Sequence, residues 1–466
     1  MVYKDAREFL GALKGVSVVD DKISITDRQL LKKDMNLLVE QVIMSDDENI
    51  KNLSFWLIWN IACKAGVSAS SIQSFYQARG RGEISGFTVP AINLRTFTYQ
   101  AASAIFRVAN KYNAGAFIFE IAKSEIGYTG QRPVEYVSLI LASAVKEGFS
   151  GCVFIQGDHF QVKAENYLKN PQEEISKLKV LIDEAIRAGF YNIDIDSSTL
   201  VDLEKETLLE QQRNNFEVCG LFTKFIRDKQ PQGIEISVGG EIGEVGKKNS
   251  TPEELKAFMQ GYLDYVGKLK GISKMSVQTG TSHGGVILPD GSLAKVSIDF
   301  DTLKRISEVA RKEFGMAGAV QHGASTLPSE AFHKFPEVET AEVHLATQFQ
   351  NIVYDNLPLT TKETIYTWIK ENLAGERKET DTEEQFIYKT RKKALGLFKK
   401  QLFSLSTDIK NNIALKLEEE FDFLFKQLKV ENTKDLVDKY VKPVLVEKKL
   451  DDFGVLKELG ELEGAD

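Results

Sequence analysis

The chain has 466 residues, 42% of them hydrophobic and 27% charged, and its formal net charge is -8 at pH 7. This length predicts one large domain with attached segments, or two to three smaller domains. The acidic balance argues against a nucleic-acid-binding protein, and the three cysteines lie too far apart for a disulfide scaffold or a cysteine zinc site. Because the sequence shows neither a signal peptide nor an apolar run long enough to span a bilayer, we expect a cytoplasmic protein without membrane contact.

Three zones follow one another along the chain. Residues 1–85 are predicted to be helical, without a strong strand pattern, because apolar residues recur at three-and-four spacing in segments such as LLKKDMNLLVEQVI. In residues 86–350, short runs of β-branched residues alternate with amphipathic helices. Residues 351–466 are again helical and rich in charge. The sequence therefore predicts a central αβ domain between a helical N-terminal and a helical C-terminal extension.

The central zone contains eight candidate strands rich in valine, isoleucine and phenylalanine. They are residues 86–93, 115–122, 151–157, 191–196, 233–240, 274–280, 318–323 and 341–347. Strands that alternate with helices pair in parallel through helical crossovers. Eight such units predict an α/β fold of the (β/α)8 barrel type, and an open, doubly wound sheet is the alternative.

Histidines and carboxylates concentrate where these candidate strands end. Four of the five histidines lie in or just after a strand, namely His159, His283, His322 and His344. Three carboxylate residues, Asp158, Asp196 and Glu241, occupy similar positions. In a barrel of this type the carboxyl ends of the strands carry the active site. A single histidine there is ordinarily a hydrogen-bonded core or surface residue, but the whole set predicts a divalent metal site.

Glycine-containing loops follow two of these histidines, in TGTSHGG (279–285) and QHGASTLP (321–328). Glycine lets backbone amides approach a ligand closely, and a neighbouring hydroxyl completes a small anion site. Thr347 offers a further hydroxyl at the end of the eighth strand. Beside metal-binding histidines these loops predict a phosphate subsite, and plain turns are the alternative.

In chain order these segments resemble the class II, metal-dependent fructose- and tagatose-bisphosphate aldolases. The resemblance lies in VPAIN (89–93), GDHF (157–160), IDSS (195–198), VGGEIGEVG (238–246), TGTSHG, QHGAS and EVHLAT (342–347). It covers somewhat over half of the chain. No single motif is specific to this family, but the order of the motifs along the chain is.

The resemblance implies a site residue by residue. The metal, expected to be Zn²⁺, would be held by His159, His283 and His322, with Glu241 as a fourth ligand or close partner and Asp196 nearby. Asp158 would be one catalytic acid or base, and Glu244 is a candidate for the second catalytic acid or base. The phosphate would be held by Gly284, Gly323, Ser325 and Thr347, while Asn93 and His344 would lie near the substrate.

The implied activity is reversible aldol cleavage of a ketose bisphosphate, as in glycolysis, to dihydroxyacetone phosphate and an aldehyde through a metal-stabilised enediolate. Two departures bear on it: His344 stands where the family usually has asparagine, and the loop after Glu241 lacks the usual acidic pair. The alternatives are an epimerase or aldolase for another phosphorylated ketose, and a non-catalytic subunit that binds sugar phosphate. We also expect a homo-oligomer, with the helical extensions either covering the barrel or making subunit contacts.

Overall fold

The computed structural model describes residues 2–19, 21–243, 248–280 and 297–454. The strands are β1 (Val16–Val19), β2 (Lys22–Ile25), β3 (Val67–Ser70), β4 (Val89–Asn93), β5 (Ile118–Ala122), β6 (Gly151–Gln161), β7 (Asn192–Asp196), β8 (Ser237–Glu241), β9 (Lys274–Val277), β10 (Ala319–Gln321) and β11 (Glu342–Leu345). Each of the eight predicted strands overlaps one of the strands β4 to β11.

These strands close into a parallel barrel. Each of β4 to β11 pairs in parallel with the next, and β11 pairs with β4 through the register Glu342↔Val89 and His344↔Ala91. The predicted (β/α)8 barrel is therefore confirmed, and the open sheet is excluded. Parallel closure places the carboxyl ends of all eight strands on one rim.

The N-terminal segment is less uniformly helical than predicted. Strands β1 and β2 form an antiparallel hairpin, and β3 pairs in parallel with the first residues of β6, outside the closed barrel. The side chain of Asn192 fixes β3 in place by accepting a hydrogen bond from Ile72 N (2.8 Å) and donating one to Ser70 O (3.2 Å). Each of these strands has only four residues, too few to show a period against the helical background.

Helices precede, alternate with and follow the barrel strands. The helices before the barrel are α1 (Ala6–Ala12), α2 (Arg28–Met44), α3 (Glu48–Lys64) and α4 (Gln73–Gly80). Within the barrel are α5 (Thr98–Tyr112), α6 (Lys123–Thr129), α7 (Pro133–Glu147), α8 (Ala164–Lys169), α9 (Pro171–Ala188), α10 (Leu208–Gln211), α11 (Arg213–Lys229), α12 (Pro252–Val266), α13 (Phe300–Phe314) and α14 (Lys334–Glu337). The barrel is followed by α15 (Thr347–Asn356), α16 (Leu359–Asn372), α17 (Glu383–Thr390), α18 (Lys399–Phe403), α19 (Thr407–Gln427) and α20 (Lys434–Tyr440).

The two extensions pack against the barrel and share its hydrophobic core, which runs from Phe9 to Leu450. Helix α19 lies along α5, where Lys111 pairs with Asp422 at 2.6 Å and the ring of Phe117 lies 5.4 Å from that of Phe425. After α20 the chain returns to α3, and the indole of Trp59 donates to the carbonyl of Val446 at 2.6 Å. Among the described residues no helix has the length and apolar character needed to cross a membrane.

Candidate active site

One cavity of about 490 Å³ opens at the carboxyl rim of the barrel, a size typical of sites for small ligands. Eight of the residues predicted for the site are described, line this cavity and come from different strands and loops. They are Asn93, Asp158, His159, His322, Gly323, Ser325, His344 and Thr347.

An irregularity in β6 turns two consecutive side chains into this cavity. In a regular strand neighbouring side chains point to opposite faces, so Asp158 and His159 would not share a site. The pairing of β6 with β7 shifts register between Gly157 and Phe160, and His159 has a left-handed φ of 40°. Gly157 leaves room for this bulge, because a Cβ there would lie 2.5 Å from the ring of Phe160. A non-glycine residue in that conformation is strained, which is a common feature of functional sites.

His159, His322 and Glu241 converge at the rim. One nitrogen or oxygen of each lies within 4.8 Å of the others, the imidazole rings of His159 and His322 are 4.2 Å apart, and His159 Nδ1 lies 3.4 Å from Glu241 Oε2. Two imidazoles and a carboxylate suit a divalent cation such as Zn²⁺. These residues therefore fit the metal that the sequence predicts.

Asp196 lies beside this set and orients His159. Its Oδ2 is 3.3 Å from His159 Nδ1 and accepts a hydrogen bond from Gln161 Nε2 at 2.5 Å, while its Oδ1 accepts one from the hydroxyl of Ser198. Carboxylates that hold a ligating histidine in place are a usual part of metal sites. Burial of the Glu241 carboxyl, together with the charge of Asp196, raises the pKa of Glu241 to about 7.

His344 connects the rim with the barrel interior. Its Nδ1 lies 3.0 Å from Glu120 Oε2 and 3.2 Å from Asp158 Oδ1, although neither approach has the angle of a regular hydrogen bond. Its Nε2 donates to Glu342 Oε1 at 2.7 Å. Burial lowers the pKa of His344, but the facing carboxylates outweigh burial and raise it well above the usual value. The imidazolium is therefore the favoured form of this side chain.

The two carboxylates beside His344 differ in acidity. Burial raises the pKa of Asp158, but the charges of His159 and His344 outweigh it and hold the value well below the usual range. Burial and the charge of Asp158 raise the pKa of Glu120 to about 7. Neighbouring carboxyls whose pKa values are pushed apart are suited to separate acid and base roles. Glu120 was not predicted from the sequence.

A buried polar network lies beneath His344, at the centre of the barrel. Lys274 Nζ is 2.9 Å from Asp194 Oδ2, 2.5 Å from Glu342 Oε1 and 2.7 Å from Gln156 Oε1. Glu342 also accepts a hydrogen bond from the hydroxyl of Tyr76 in α4. In the sequence, only charged residues within otherwise apolar strands indicate this network. They occur in IFEIA, NIDID, KMSV and EVHL. It fixes Glu342, which in turn positions His344.

Three of the residues predicted to hold phosphate, Gly323, Ser325 and Thr347, line the cavity. Gly323 has a left-handed φ of 70°, and Ser325 Oγ accepts hydrogen bonds from the amides of Ala346 (2.7 Å) and Thr347 (3.2 Å). Those two amides are thus engaged by Ser325, whereas the hydroxyls of Ser325 and Thr347 are able to donate to an anion. Asn93 also lines the cavity and donates to Glu125 Oε2 at 2.6 Å.

Three predicted site residues, His283, Gly284 and Glu244, lie outside the described residues. Four cationic side chains that were not predicted also line the cavity, namely Arg95, Lys123, Lys163 and Lys392. Each lies outside a recognisable motif, and Lys392 belongs to the C-terminal extension.

The chain is similar to one known family and to several solved structures. Residues 78–402 match the family described as fructose-bisphosphate aldolase class-II. A search of curated proteins found no match. Among solved structures, the fructuronate-tagaturonate epimerase UxaE from Cohnella laeviribosi matches with a TM-score of 0.59 and 12% identity, over 91% of this chain and 90% of that one.

Two aldolases match over a smaller part of the chain. The YdjI aldolase from Escherichia coli K12 has a TM-score of 0.47 and 13% identity, over 78% of this chain and 98% of that one. The fructose-bisphosphate aldolase from Campylobacter jejuni has a TM-score of 0.45 and 16% identity, over 79% of this chain and 96% of that one. Because the family match spans residues 78–402, which include all eight strands of the barrel, the chain belongs to the class-II fructose-bisphosphate aldolase family.

Proposed function

We propose that this protein is a divalent-cation-dependent enzyme that breaks and forms the carbon–carbon bond beside the ketone of a phosphorylated ketose, with fructose 1,6-bisphosphate as the type of substrate. The observation that carries the proposal is the convergence of His159, His322 and Glu241 next to Asp158 in one cavity. A divalent cation, when bound, supplies a Lewis acid that polarises a carbonyl oxygen. Zn²⁺ suits this donor set.

The protein's own groups account for the proton transfers. Asp158, whose low pKa keeps it ionised, accepts the proton of the hydroxyl that becomes an aldehyde on cleavage. Glu120, with a pKa of about 7, is able to carry a proton at neutral pH and return it. His344 lies between the two and holds both carboxylates at fixed positions. Ser325 and Thr347 supply hydroxyls for the phosphate of the substrate.

A second candidate is an epimerase that breaks this bond, lets the aldehyde turn, and forms the bond again with inverted configuration. The similarity to the fructuronate-tagaturonate epimerase favours it, because that match extends over 91% of this chain whereas the two aldolases cover 78% and 79%. The same base and cation serve both reactions. The two functions differ in whether the aldehyde leaves the cavity.

The test is an assay of the purified protein with fructose and tagatose 1,6-bisphosphates and with fructuronate and tagaturonate. Triose phosphate release, followed by a coupled assay, reports aldol cleavage, and carbon NMR reports epimerisation. Chelation with verified metal removal should abolish turnover, and addition of Zn²⁺ should restore it. His322→Ala should lose both metal and turnover, whereas His333→Ala, which alters a histidine with a 45% exposed side chain, should keep both.

Each outcome decides between the candidates. Triose release supports the aldolase, and interconversion without release supports the epimerase. Full turnover after verified metal removal would contradict both. Absence of turnover on all four sugars at full metal occupancy would instead indicate an enzyme for another phosphorylated ketose or the non-catalytic, sugar-phosphate-binding subunit.

A further inference from the structure

A second cavity, of about 300 Å³, lies at the amino end of the barrel, opposite the active site. It is bounded by β3 and the start of α4, by the segment before β8, and by the chain that follows α20. Ser70 at the end of β3 pairs with Phe154 of β6, upstream of Asp158 in the same strand. No described residue lines both cavities, so the two are separate sites.

The enclosed part of this amino-end cavity is uncharged. Its buried lining residues are Ala69, Ser70, Gln73, Ile234 and Val441. The charged lining residues, Glu235 and Lys442, are both exposed. A charged ligand group would have to leave water without an opposite charge in the enclosed part to compensate for the lost hydration. The cavity therefore suits an uncharged ligand.

The side-chain amide of Gln73 lies in the wall of this cavity without a partner. The residue is 3% exposed, and no described residue donates a hydrogen bond to its buried Oε1. Buried side-chain polar atoms are nearly always hydrogen-bonded, and an unpaired one destabilises the fold. Rotation about the terminal bond of the side chain exchanges the amide oxygen and nitrogen at little cost, because this torsion has a broad, two-fold profile. Gln73 is therefore able to present either an acceptor or a donor to the cavity.

A hydroxyl donor lies beside this amide. Ser71 Oγ accepts hydrogen bonds from the backbone amides of Gln73 (3.1 Å) and Ser237 (3.0 Å), which occupy both of its lone pairs. No described residue accepts the proton of the Ser71 hydroxyl. Because Ser71 also lines the cavity, this proton is available to a ligand. The amide of Ile72 donates to Asn192 Oδ1 at 2.8 Å, which fixes the backbone between the two side chains.

The charged groups at the mouth of the cavity are engaged by the protein itself. Lys442 Nζ donates to the carbonyl of Asp438 at 2.9 Å, and Glu235 Oε1 accepts a hydrogen bond from Gln77 Nε2 at 3.4 Å. Neither contact involves the amide of Gln73. The unpaired hydrogen-bonding groups of the cavity are thus the neutral ones, an amide and a hydroxyl.

The C-terminal extension forms one wall of the cavity. The hydroxyl of Ser68 in β3 donates to the carbonyl of Val444 at 3.1 Å, which holds the chain after α20 against the barrel. Gly233, before β8, lies on the other side of Val444, where a Cβ would be 3.8 Å from its side chain. A ligand in the cavity would therefore contact the barrel and the extension together.

We propose that the amino-end cavity binds a small uncharged ligand that carries a hydrogen-bond donor next to an acceptor, held by the Gln73 amide and the Ser71 hydroxyl. A primary carboxamide, an amino-heterocycle and a vicinal diol share this chemistry. A glutamine amide pairs with such an edge through two hydrogen bonds, as it does with adenine. The volume of about 300 Å³ is at the lower end of the range for small-molecule sites. The site is independent of the proposed function, since none of its residues lines the active-site cavity.

The test measures binding of three uncharged probes to the full-length protein by saturation-transfer NMR and calorimetry. The probes are nicotinamide, adenine and methyl glucopyranoside, one for each type of ligand. Nicotinate, which has a carboxylate in place of the amide of nicotinamide, tests whether the ligand has to be uncharged. Gln73→Met removes the amide and keeps the length of the side chain, and Ser74→Tyr fills the cavity from a half-buried position. The matched control is Gln29→Met, which changes an exposed glutamine of α2.

We expect at least one uncharged probe to bind, and the probe that binds identifies the type of ligand. Gln73→Met and Ser74→Tyr should each raise its dissociation constant at least about fivefold, whereas Gln29→Met should stay within about twofold of the wild type. Nicotinate should not bind measurably. Without a probe, Gln73→Met should unfold at or above the wild-type temperature, because it removes a buried amide that has no partner within the fold.

Four results would overturn the inference. Absence of binding by all three uncharged probes would indicate that only ordered water enters the cavity, and binding that is unchanged in Gln73→Met and Ser74→Tyr would place the ligand elsewhere. Nicotinate binding as tightly as nicotinamide would exclude an uncharged site. A lower unfolding temperature of Gln73→Met would show that the amide already has a structural partner. Thermal unfolding of Ser74→Tyr verifies that its fold is intact.

Discussion

Replacement of Lys274 by methionine tests whether the buried network at the barrel centre stabilises the fold through its charges. The ammonium is fully buried and lies 2.9 Å from Asp194 Oδ2 and 2.5 Å from Glu342 Oε1. With an effective dielectric constant of about 20, each contact corresponds to roughly 6 kcal/mol of gross Coulomb attraction. Methionine has a similar length, so the substitution removes the charge with little change in packing.

The net effect is smaller than that gross attraction, because the wild-type protein also has to desolvate the charges. Removing Lys274 leaves two buried carboxylates, Asp194 and Glu342, with the imidazolium of His344 as their remaining cation. Breaking a buried ion pair in this way typically costs about 3–5 kcal/mol of unfolding free energy. The pKa values agree with this arrangement: Lys274 and His344 outweigh burial and hold that of Glu342 at about 2. Burial is only partly offset for Asp194, whose pKa is raised to about 6.

Guanidinium denaturation at pH 7, followed by circular dichroism, measures the loss. The matched control is Lys256→Met, since Lys256 makes an ion pair of similar length with Glu313 (2.7 Å) on the surface, with side chains 47% and 44% exposed. The control should stay within about 1 kcal/mol of the wild type. Adding Glu342→Gln to Lys274→Met should recover part of the loss, because two buried carboxylates then no longer share the single cation of His344. A loss in Lys274→Met no larger than in the control would refute the reasoning.

Three further changes have defined outcomes. Burial lowers the pKa of Lys448 to about 7 in the folded protein, compared with about 10.4 in the unfolded chain. The destabilisation caused by this lysine is therefore at its full value below pH 7 and decreases as the pH rises towards 10. Lys448→Met should therefore flatten the rise in unfolding free energy between pH 7 and 10, and an unchanged slope would contradict this. Gly396→Ala places a Cβ 2.6 Å from the carbonyl of Tyr128; overpacking of this kind costs about 1–3 kcal/mol and should expose the C-terminal segment to limited proteolysis, whereas the wild-type cleavage pattern would speak against the close contact. His322→Cys, which keeps a metal-ligand type, should retain more bound Zn²⁺ than His322→Ala by elemental analysis, and equal retention would argue that His322 is not a ligand.

Local sequence patterns were sufficient for the barrel and for much of its rim. The runs around Ile118, Ile193 and Val320 are apolar enough to identify strands buried on both faces, and amphipathic segments between them identify the crossover helices. Since a parallel barrel places all strand ends on one rim, His159 and His322 were expected to meet, and their rings lie 4.2 Å apart. The short strands β1 to β3 were missed because four residues show no clear period.

Other features of the site depend on contacts between distant parts of the chain. Glu120 and Lys274 appear in the sequence as isolated charges within strands, and only barrel closure brings them to His344 and Glu342. The orientation of His159 depends on a bulge whose cause, the ring of Phe160 packed over Gly157, is a matter of three-dimensional packing.

The sequence by itself determined the order of strands and helices, and with it the type of barrel and the rim at which its histidines lie, because hydrophobic periodicity is a property of neighbouring residues. The tertiary structure decided which charges share the cavity. Lys392 and Arg95 line the same cavity because Arg391 is packed between two tyrosines and Gly396 lies against α6. Such contacts join residues far apart in the chain, and no local pattern records them, since their free energy arises only when the separate segments are packed together.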